Sequence, residues 1–331
     1  MKLATLKDGS RDGRLVIVSK DLKTATLATG IALTLQDALE NWDEAEPKLQ
    51  QKYTALNDAI EQDAFAFDTT QAMAPLPRAY QWADASAFLN HGSLMEQAFK
   101  LDIKKDKGVP IIYQGAGDDF LGACDDYPVP GEEHQIDFEG EVAVILDDVP
   151  MGVQAEQAEQ AEKHIKLFML LNDVSLRAHL FKEVSIGFGP LRAKPSTVFA
   201  PVAVTPDELG DAWHDGRIKL PLEVQCNGEW FGHPNGEEMS FSFPELVMHL
   251  ARTRNLKVGT ILGSGTFSNQ NYKEVGSACL AEKRAIEIIE LGEPKTPFLK
   301  FGDRLQFEMK GQDGQSIFGK INHQFVPYQE V

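Results

Sequence analysis

Hydrophobic and polar positions alternate in two distinct ways before residue 80. Short alternating runs separated by the turn signals "DGSRDG" and "DLK" predict three strands, at "KLATLK", "RLVIVSK" and "TATLA". Apolar residues at helical spacing predict two amphipathic helices, around "LQDALENW" and "EPKLQQKYTALNDAIEQ". Pro75 and Pro77 then break the pattern. We therefore predict a small N-terminal β/α domain over residues 1–75 and a main domain over residues 76–331.

The main domain carries mostly strand patterns. Helices are predicted at "SAFLNHGSLMEQAFK" and "QAEQAEQAEKHIKLF", and strands at "KLFMLLND", "TVFAPVAVT", "LPLEVQCNGEWF", "AIEIIELG" and "RLQFEMKG". The Asn227-Gly228 pair is a strong signal for a type I′ hairpin. Because turns join most strands without regularly alternating helices, we predict an α+β fold, mainly β, built as a mixed β-sandwich or roll.

Composition excludes several classes of function. The 331 residues contain 32 Lys plus Arg against 50 Asp plus Glu, and the formal charge of -18 disfavours nucleic acid and anionic membranes as partners. The glycine-rich "GTILGSGTFSNQN" lacks the lysine of a P-loop, which argues against nucleotide binding. A small anionic substrate would need local positive charge in its site.

The expected compartment is the cytoplasm. The first 15 residues lack the apolar core of a signal peptide, and no apolar run approaches the roughly 18 residues of a membrane span. Cys124, Cys226 and Cys279 are widely separated, which argues against a disulfide framework or a zinc site.

The stretch "IDFEGEVAVIL" places Glu139 and Glu141 two positions apart in an apolar segment. On a strand, both carboxylates would share a face. Two charges about 6 Å apart repel by roughly 3 kcal/mol at an effective dielectric near 20. Either this face is solvated or a cation lies between the two carboxylates.

Two further carboxylates follow unusual local sequence. Asp84 could cap a helix that begins near Ser86, and Asp173 could be a turn residue at the end of a strand. Together with the two glutamates, they would instead form an all-oxygen site for a hard divalent cation such as Mg²⁺ or Ca²⁺.

From about residue 75 to 325, the chain resembles the fumarylacetoacetate hydrolase family. The fragments that carry the resemblance are "DASAFLNH", "IDFEGEVAVIL", "LLNDVSLRAHL", "GPLRAKPSTVFAPV", "VQCNGEW" and "GTILGSGTFSNQN…VGSACLAEKRAIEII". The segment "MKLATLKDGSRDGRLVIVSKDL" is similar to the small N-terminal domain of some bacterial members.

The resemblance implies that a divalent cation is held by four carboxylates, those of Asp84, Glu139, Glu141 and Asp173. Mg²⁺ is the first expectation, with Ca²⁺ and Mn²⁺ as alternatives. Replacing either glutamate by Gln is expected to weaken metal binding and to remove activity while leaving the fold intact. The resemblance also implies a homodimer.

The same resemblance implies roles for five other residues. His91, seven positions after Asp84, matches the general base, and Lys194 matches a lysine that stabilises negative charge on the substrate. Taken alone, the first could be a packing residue and the second a solvated lysine. The Glu that pairs with the base should fall at Leu280, but we keep Glu282, two positions further on, assuming a strand there.

Two substrate contacts are also implied. Tyr113 matches a substrate-facing tyrosine, and Thr266 matches a loop residue that contacts the substrate carboxylate. Packing and a tight strand connection are the respective alternatives. The run "YQGA" lacks an arginine that follows this tyrosine in the hydrolases of tyrosine breakdown, and Leu180 stands where they have Gln.

We therefore expect a metal-dependent hydrolase that cleaves a carbon-carbon bond in a β-diketo acid of the fumarylacetoacetate or acylpyruvate type. The same metal site could instead serve decarboxylation, hydration or tautomerisation of a 2-oxo acid such as oxaloacetate. A third hypothesis is a non-catalytic protein that binds Ca²⁺ for stability. The expected partner is a small anionic diketo or oxo acid.

Overall fold

The computed structural model describes residues 1–100, 108–152, 158–187 and 189–329. Its strands are β1 Lys2–Leu6, β2 Arg14–Val18, β3 Thr24–Leu27, β4 Phe65–Ala66, β5 Trp82–Ala85, β6 Ile112–Gln114, β7 Tyr127–Val129, β8 Ile136–Asp137, β9 Gly140–Leu146, β10 Ile165–Asn172, β11 Ser175–Leu176, β12 Val198–Phe199, β13 Ala203–Val204, β14 Trp213–His214, β15 Arg217–Ile218, β16 Leu222–Cys226, β17 Glu229–Gly232, β18 Thr260–Gly263, β19 Arg304–Met309 and β20 Ile321–Pro327. Its α-helices are α1 Leu35–Glu40, α2 Trp42–Asn57, α3 Leu89–Phe99, α4 Ala158–Lys163, α5 Arg177–Ile186, α6 Phe243–Leu250, α7 Tyr272–Val275 and α8 Leu280–Leu291.

Two sheets dominate the architecture. The larger sheet has 11 strands in the order β4-β3-β2-β1-β13-β10-β9-β18-β5-β6, with β12 paired to β10. The smaller sheet has five strands in the order β17-β16-β19-β20-β7. In the large sheet β18 pairs antiparallel with β9 and parallel with β5. This mixed α+β arrangement confirms the predicted fold class.

Both faces of the large sheet are buried. On β9, Val142 and Val144 belong to the core shared with the smaller sheet, whereas Ala143 and Ile145 belong to a second core that includes the apolar residues of α1 and α2. This alternation follows the two-residue period of a strand. Acidic side chains at the end of such a sheet are therefore surrounded by apolar layers.

The N-terminal elements agree with the sequence pattern. β1, β2 and β3 lie on the three predicted strands, and α1 and α2 overlap the two predicted helices, although α2 already begins at Trp42. The predicted hairpin is confirmed, because Asn227 and Gly228 have φ values of 53° and 78° between β16 and β17. The division of the chain at residue 75 stays a prediction.

The strand predicted at "AIEIIELG" is wrong, because residues 285–291 belong to helix α8. The β-branched residues favoured a strand, but the buried positions Ala281, Ala285 and Ile286 follow helical spacing. Gly292, at φ 85°, ends the helix in the left-handed conformation. The strand expected to carry Glu282 is therefore also a helix.

Asp84 does not cap a helix. It lies within strand β5, and helix α3 starts only at Leu89, with Phe88 as its N-cap residue. His91 lies on α3, so Asp84 and His91 lie on different elements although they are seven residues apart.

Other helices and strands begin or end at different residues from those predicted from the sequence. The predicted helix "QAEQAEQAEKHIKLF" overlaps α4 only at Ala158–Lys163, its residues 154–157 lie outside the described residues, and β10 begins at Ile165. The predicted strand "TVFAPVAVT" is divided into β12 and β13, and helix α5 was not predicted. Within the described ranges, no helix is both long and apolar enough to cross a membrane.

Candidate metal centre and catalytic site

Three strand ends of the large sheet place carboxylates on one face. Asp84 follows Trp82 on β5, Glu141 precedes Ala143 on β9, and Asp173 comes directly after β10. Asp84 lies two residues after Trp82, and Glu141 lies two residues before Ala143. Trp82 and Ala143 belong to the same core, so the two acids point toward the same side of the sheet. The sheet thus gathers acids that are far apart in sequence.

Strand β18 lies between β9 and β5 and leaves room for these acids. Gly263 pairs with Asp84 on one side and with Ala143 on the other, and a Cβ atom at Gly263 would overlap Oδ1 of Asp84. The backbone N–H of Gly265 then donates to Oδ1 of Asp84 at 3.2 Å and to Oε2 of Glu141 at 3.0 Å. The glycine-rich loop is therefore part of the acidic site.

Asp84, Glu141 and Asp173 form the acidic triad. Each is at most 1% exposed, and one carboxylate oxygen from each lies within 4.8 Å of the others. Burial and the charge of Asp173 raise the pKa of Asp84 from 3.8 to about 7. Burial and the charges of Asp84 and Asp173 likewise raise the pKa of Glu141 well above its ordinary value. Three negative charges at this spacing need a proton or a cation between them.

Tyr113 and Thr197 orient the triad. The Tyr113 hydroxyl lies 2.7 Å from Oδ2 of Asp84 and 2.8 Å from Oδ2 of Asp173, and Thr197 donates to Oδ1 of Asp173 at 3.0 Å. A phenol has one proton and can donate to only one carboxylate at a time. Burial and the two carboxylates raise the pKa of Tyr113 well above its ordinary value, which keeps this proton in place.

The triad fits a hard divalent cation. All of its donors are carboxylate oxygens, the ligand type that Mg²⁺, Ca²⁺ and Mn²⁺ prefer. Oε1 of Glu141 is fully buried and has no hydrogen-bond partner among the described residues. A buried polar atom without a partner is costly, so an ion bound here would also satisfy Glu141.

Glu139 is not brought into this triad. It lies between β8 and β9, forms an isolated bridge with Cys279, and pairs with Arg177 and Lys194. Burial alone would raise the pKa of Glu139, but these two cations hold it well below its ordinary value. Its assignment as a metal ligand stays a prediction.

Lys194 connects the two groups of acids. Its buried ammonium donates to Oε2 of Glu139 at 2.9 Å and to Oδ2 of Asp173 at 2.6 Å, and it lies 5.6 Å from the centre of the Tyr113 ring. Burial would lower the pKa of Lys194, but Asp173 and Glu139 raise it, so the group stays charged. An ammonium has three donors, which leaves one for a bound ligand.

His91 and Glu282 form a pair beside these acids. Nδ1 of His91, on α3, lies 2.9 Å from Oε2 of Glu282, on the first turn of α8. Because a carboxylate accepts, Nδ1 carries the proton and Nε2 is left with a free lone pair. Glu282 is fully buried, whereas the His91 side chain is 20% exposed. This geometry allows a ligand to reach the imidazole.

The remaining predicted residues are less closely tied to the site. Thr266 is buried and follows Gly265 directly, so it belongs to the loop that contacts Asp84 and Glu141. Its role toward a substrate stays a prediction. Leu180, which stands where the resemblance leads us to expect Gln, lies half-buried on α5.

Sequence reasoning missed three residues that support the acids. Arg177 donates from Nε to Oδ2 of Asp137 at 2.7 Å and also contacts Glu139. Thr197 lies three residues after Lys194. One signal was available, because Asp137 continues the alternation of Glu139 and Glu141 one step toward the N-terminus. The long-range pairing with Arg177 had no local signal.

Comparison with known families identifies the class of protein. Residues 81–326 match the family described as fumarylacetoacetate (FAA) hydrolase C-terminal, and residues 1–78 match fumarylacetoacetase N-terminal domain 2. The chain belongs to the fumarylacetoacetate hydrolase family.

Two curated relatives have different activities. The chain is 27% identical over 132 residues to the oxaloacetate tautomerase YisK of Bacillus subtilis, covering 40% of this chain and 41% of the relative. It is 29% identical over 199 residues to fumarylacetoacetase of Emericella nidulans, covering 51% of this chain and 46% of the relative. Both matches span less than half of the relative's length.

A solved structure shares the fold over nearly the whole chain. Maleylpyruvate hydrolase from Sphingobium sp. SYK-6, in complex with manganese(II) and pyruvate, superimposes with a TM-score of 0.66 at 15% identity. The match covers 99% of this chain and 100% of that one.

Proposed function

We propose that this protein is a divalent-cation-dependent hydrolase that cleaves a carbon-carbon bond in a β-diketo acid. The observation that carries the proposal is the combination of the His91–Glu282 pair with a buried acidic triad. Family members include enzymes that act on such acids, among them the fumarylacetoacetase relative. A cation held by Asp84, Glu141 and Asp173 would supply Lewis acidity toward the oxygens of the diketone.

His91 would act as the general base. Its Nε2 lone pair takes a proton from the water that attacks the substrate carbonyl, while Nδ1–H stays bonded to Glu282. The buried carboxylate stabilises the imidazolium that forms and holds the ring in orientation. Hydrolysis needs such a base, because water alone is a weak nucleophile.

Lys194 would stabilise the negative charge that develops when the carbon-carbon bond breaks. Its remaining N–H can donate to the enolate oxygen of the leaving fragment, whose carbon then takes up a proton equivalent to the one that His91 removed from water. The ammonium is held by Glu139 and Asp173, so it needs little reorganisation during the reaction. Tyr113 and Thr266 are proposed to contact the substrate.

The acyl group of the substrate is less constrained than the reaction. The run "YQGA" lacks the arginine, and position 180, a leucine here, lacks the glutamine, that the resemblance leads us to expect from the hydrolases of tyrosine breakdown. Arg177, a cation of the described site, is already engaged by Asp137 and Glu139. These features favour an acylpyruvate over fumarylacetoacetate, which carries a second carboxylate at its far end.

Oxaloacetate tautomerisation is a second candidate, favoured by the similarity to YisK. Both reactions pass through an enolate, but tautomerisation consumes no water. The two proposals therefore differ in whether the substrate is split into two acids.

We further propose Mg²⁺ as the resident ion, with Mn²⁺ or Ca²⁺ as alternatives, because the donors are all hard oxygens. A homodimer, a cytoplasmic location and the absence of nucleic-acid or membrane partners stay predictions.

The experiment measures cleavage of a set of acylpyruvates and fumarylacetoacetate, and isomerisation of oxaloacetate, with each metal after chelation. His91→Asn should lower the rate of diketone cleavage by roughly 10² to 10⁴, the usual contribution of a positioned base. Metal affinity should hardly change, since the described contacts of His91 are with Glu282 and not with the triad.

His249 is a matched control. It lies on α6, outside the candidate site, so His249→Asn should leave turnover unchanged. Unchanged cleavage in His91→Asn would rule out the proposed base. Oxaloacetate turnover without diketone cleavage would favour the tautomerase.

A further inference from the structure

Asp137 is a fully buried carboxylate that receives four hydrogen bonds. Oδ1 accepts from the N–H of Leu280 at 2.8 Å and of its neighbour Phe138 at 2.7 Å. Oδ2 accepts from the N–H of Ala281 at 2.9 Å and from Nε of Arg177 at 2.7 Å. None of these contacts involves the acidic triad, and the catalytic roles proposed above do not use Asp137.

The two amides from α8 are the first N–H groups of that helix, which lack partners inside it. A carboxylate at this position satisfies them and interacts favourably with the positive end of the helix dipole. Glu282 is the next residue along the chain, and its own N–H is received by the sulfur of Cys279 at 3.3 Å. The position of the Glu282 carboxylate therefore depends on how this first turn is anchored.

Asp137 is also connected, through Arg177, to the buried cations of the site. Arg177 bridges Asp137 and Glu139, and Glu139 accepts from Lys194. One buried carboxylate is thus bonded to the helix that carries the partner of the base and to the arginine that supports the charge-stabilising lysine. Asp137 and Glu282 are 145 residues apart in sequence.

We propose that Asp137 is a positioning residue that fixes the position of the His91–Glu282 pair relative to the Glu139–Lys194 pair. It makes no contact with the substrate and acts through the first turn of α8 and through Arg177. The kinetic part of this inference rests on the proposed hydrolase activity, but the positioning itself can be measured without turnover.

The primary variant is Asp137→Asn, which has nearly the same shape. Its amide group places donors where one carboxylate oxygen now accepts two hydrogen bonds, so the first turn of α8 should shift. We expect kcat for diketone cleavage to fall by roughly 10²-fold, the effect of a displacement of about 1 Å. The metal Kd and KM should change by less than about threefold.

A pH profile distinguishes positioning from general destabilisation. Displacement of Glu282 would change the hydrogen bond made by Nδ1 of His91, so the kcat profile of the variant should differ in position along the pH axis from that of the wild type. Loss of folded protein would lower the whole profile without moving it. In the metal-free protein, NMR titration of the His91 ring should show a midpoint that differs between the variant and the wild type.

Two further variants guard against a trivial result. In Asp137→Asn, Arg177 keeps only Glu139 as a charged partner. The double variant Asp137→Asn with Arg177→Gln removes this buried cation as well, so it should fold and still show the shifted titration of His91. Glu287→Gln is the matched control, because Glu287 also lies on α8 and accepts from the backbone amides of Lys295 and Thr296, away from the site. It should leave both kcat and the His91 titration unchanged.

The outcomes are separable. An unchanged His91 titration in both Asp137 variants would overturn the positioning role, whatever the turnover. A shifted titration in a protein that cleaves no β-diketo acid would support the positioning role and reject the proposed hydrolase. A fall in kcat that parallels the loss of folded protein, with no shift, would reduce Asp137 to a structural cap.

Discussion

Two groups of buried carboxylates lie side by side in this protein and behave in opposite ways. The acidic triad gathers three acids within 4.8 Å, and among the described residues only Asp173 of these three pairs with a cation, Lys194, whereas Asp137 and Glu139 both pair with cations. Burial by itself would raise the pKa of any of these acids. Partners therefore decide the charge state.

The pKa values show the contrast directly. Burial raises the pKa of Asp84 to about 7 and that of Glu141 well above its ordinary value, because their neighbours are also acids. The pKa of Glu139 is held well below its ordinary value, because Lys194 and Arg177 outweigh its burial. Arg177 and Lys194 balance the paired acids, whereas Asp84 and Glu141 of the triad form no ion pair with a cation among the described residues.

The largest predicted effect comes from breaking the paired group. Glu139→Gln leaves the ammonium of Lys194 and the guanidinium of Arg177 buried with fewer negative partners. Removing one member of a buried ion pair typically costs about 3 to 5 kcal/mol. We expect this loss in the free energy of unfolding of the chelated protein, measured by urea denaturation.

Glu141→Gln is the matched comparison, since it changes the same type of side chain two residues away. It replaces a carboxyl group whose charged form is disfavoured by burial and by Asp84 and Asp173, so the chelated protein should be as stable as the wild type or more stable. Metal affinity, measured by calorimetry, should fall. Equal destabilisation by both variants would contradict the contrast between the two groups. The sequence alone predicted an intact fold for both, and the structure separates them.

A second, smaller effect concerns pH. The pKa of Asp84 is raised from 3.8 to about 7, so the folded chelated protein holds a proton that the unfolded chain releases. The stabilisation from this group is complete below about pH 4 and is lost as pH rises to about 7, by at most about 4 kcal/mol.

Asp84→Asn should flatten this dependence, so the chelated variant should melt above the chelated wild type at pH 8 and close to it at pH 4. Thermal melts across this range measure the difference. Saturating Mg²⁺ should reverse the order at pH 8, because only the wild type keeps all three acids of the triad. Parallel curves for the two chelated proteins would show that Asp84 is not a source of the pH dependence.

Local sequence explains some parts of the site better than others. Glu139, Glu141 and Asp173 stand out because an acid next to an apolar run is unusual, and the strand that carries Glu141 follows from a two-residue period. The helix α8 was misread because Ile286, Ile288 and Ile289 favour a strand locally, while packing decides for a helix. Propensity is a weak guide where burial dominates.

The ion-pair partners could not be predicted, for a different reason. Arg177 and Asp137 are 40 residues apart, and a lone arginine after a strand gives no indication of its partner. Only the sheet, by placing β8 beside β11, brings them together. The resemblance to the family supplied Lys194 and Glu282, which residue patterns alone left open.

The smallest predicted effect tests whether burial creates the contrast. Lys7 and Asp125 lie 2.6 Å apart, the same N–O distance as Lys194 and Asp173. The side chain of Lys7 is 42% exposed, whereas that of Lys194 is 4% exposed. An exposed pair contributes little, because water and salt screen it.

Lys7→Met should therefore change the free energy of unfolding by less than about 1 kcal/mol. Lys194→Met leaves two buried acids without this partner and should cost several times more, on the order of 3 to 5 kcal/mol. Urea denaturation of both variants, at low and high salt, measures the difference. Equal costs for the two substitutions would mean that distance and not burial sets the strength of these pairs, and the distinction between the triad and the paired acids would then need another cause.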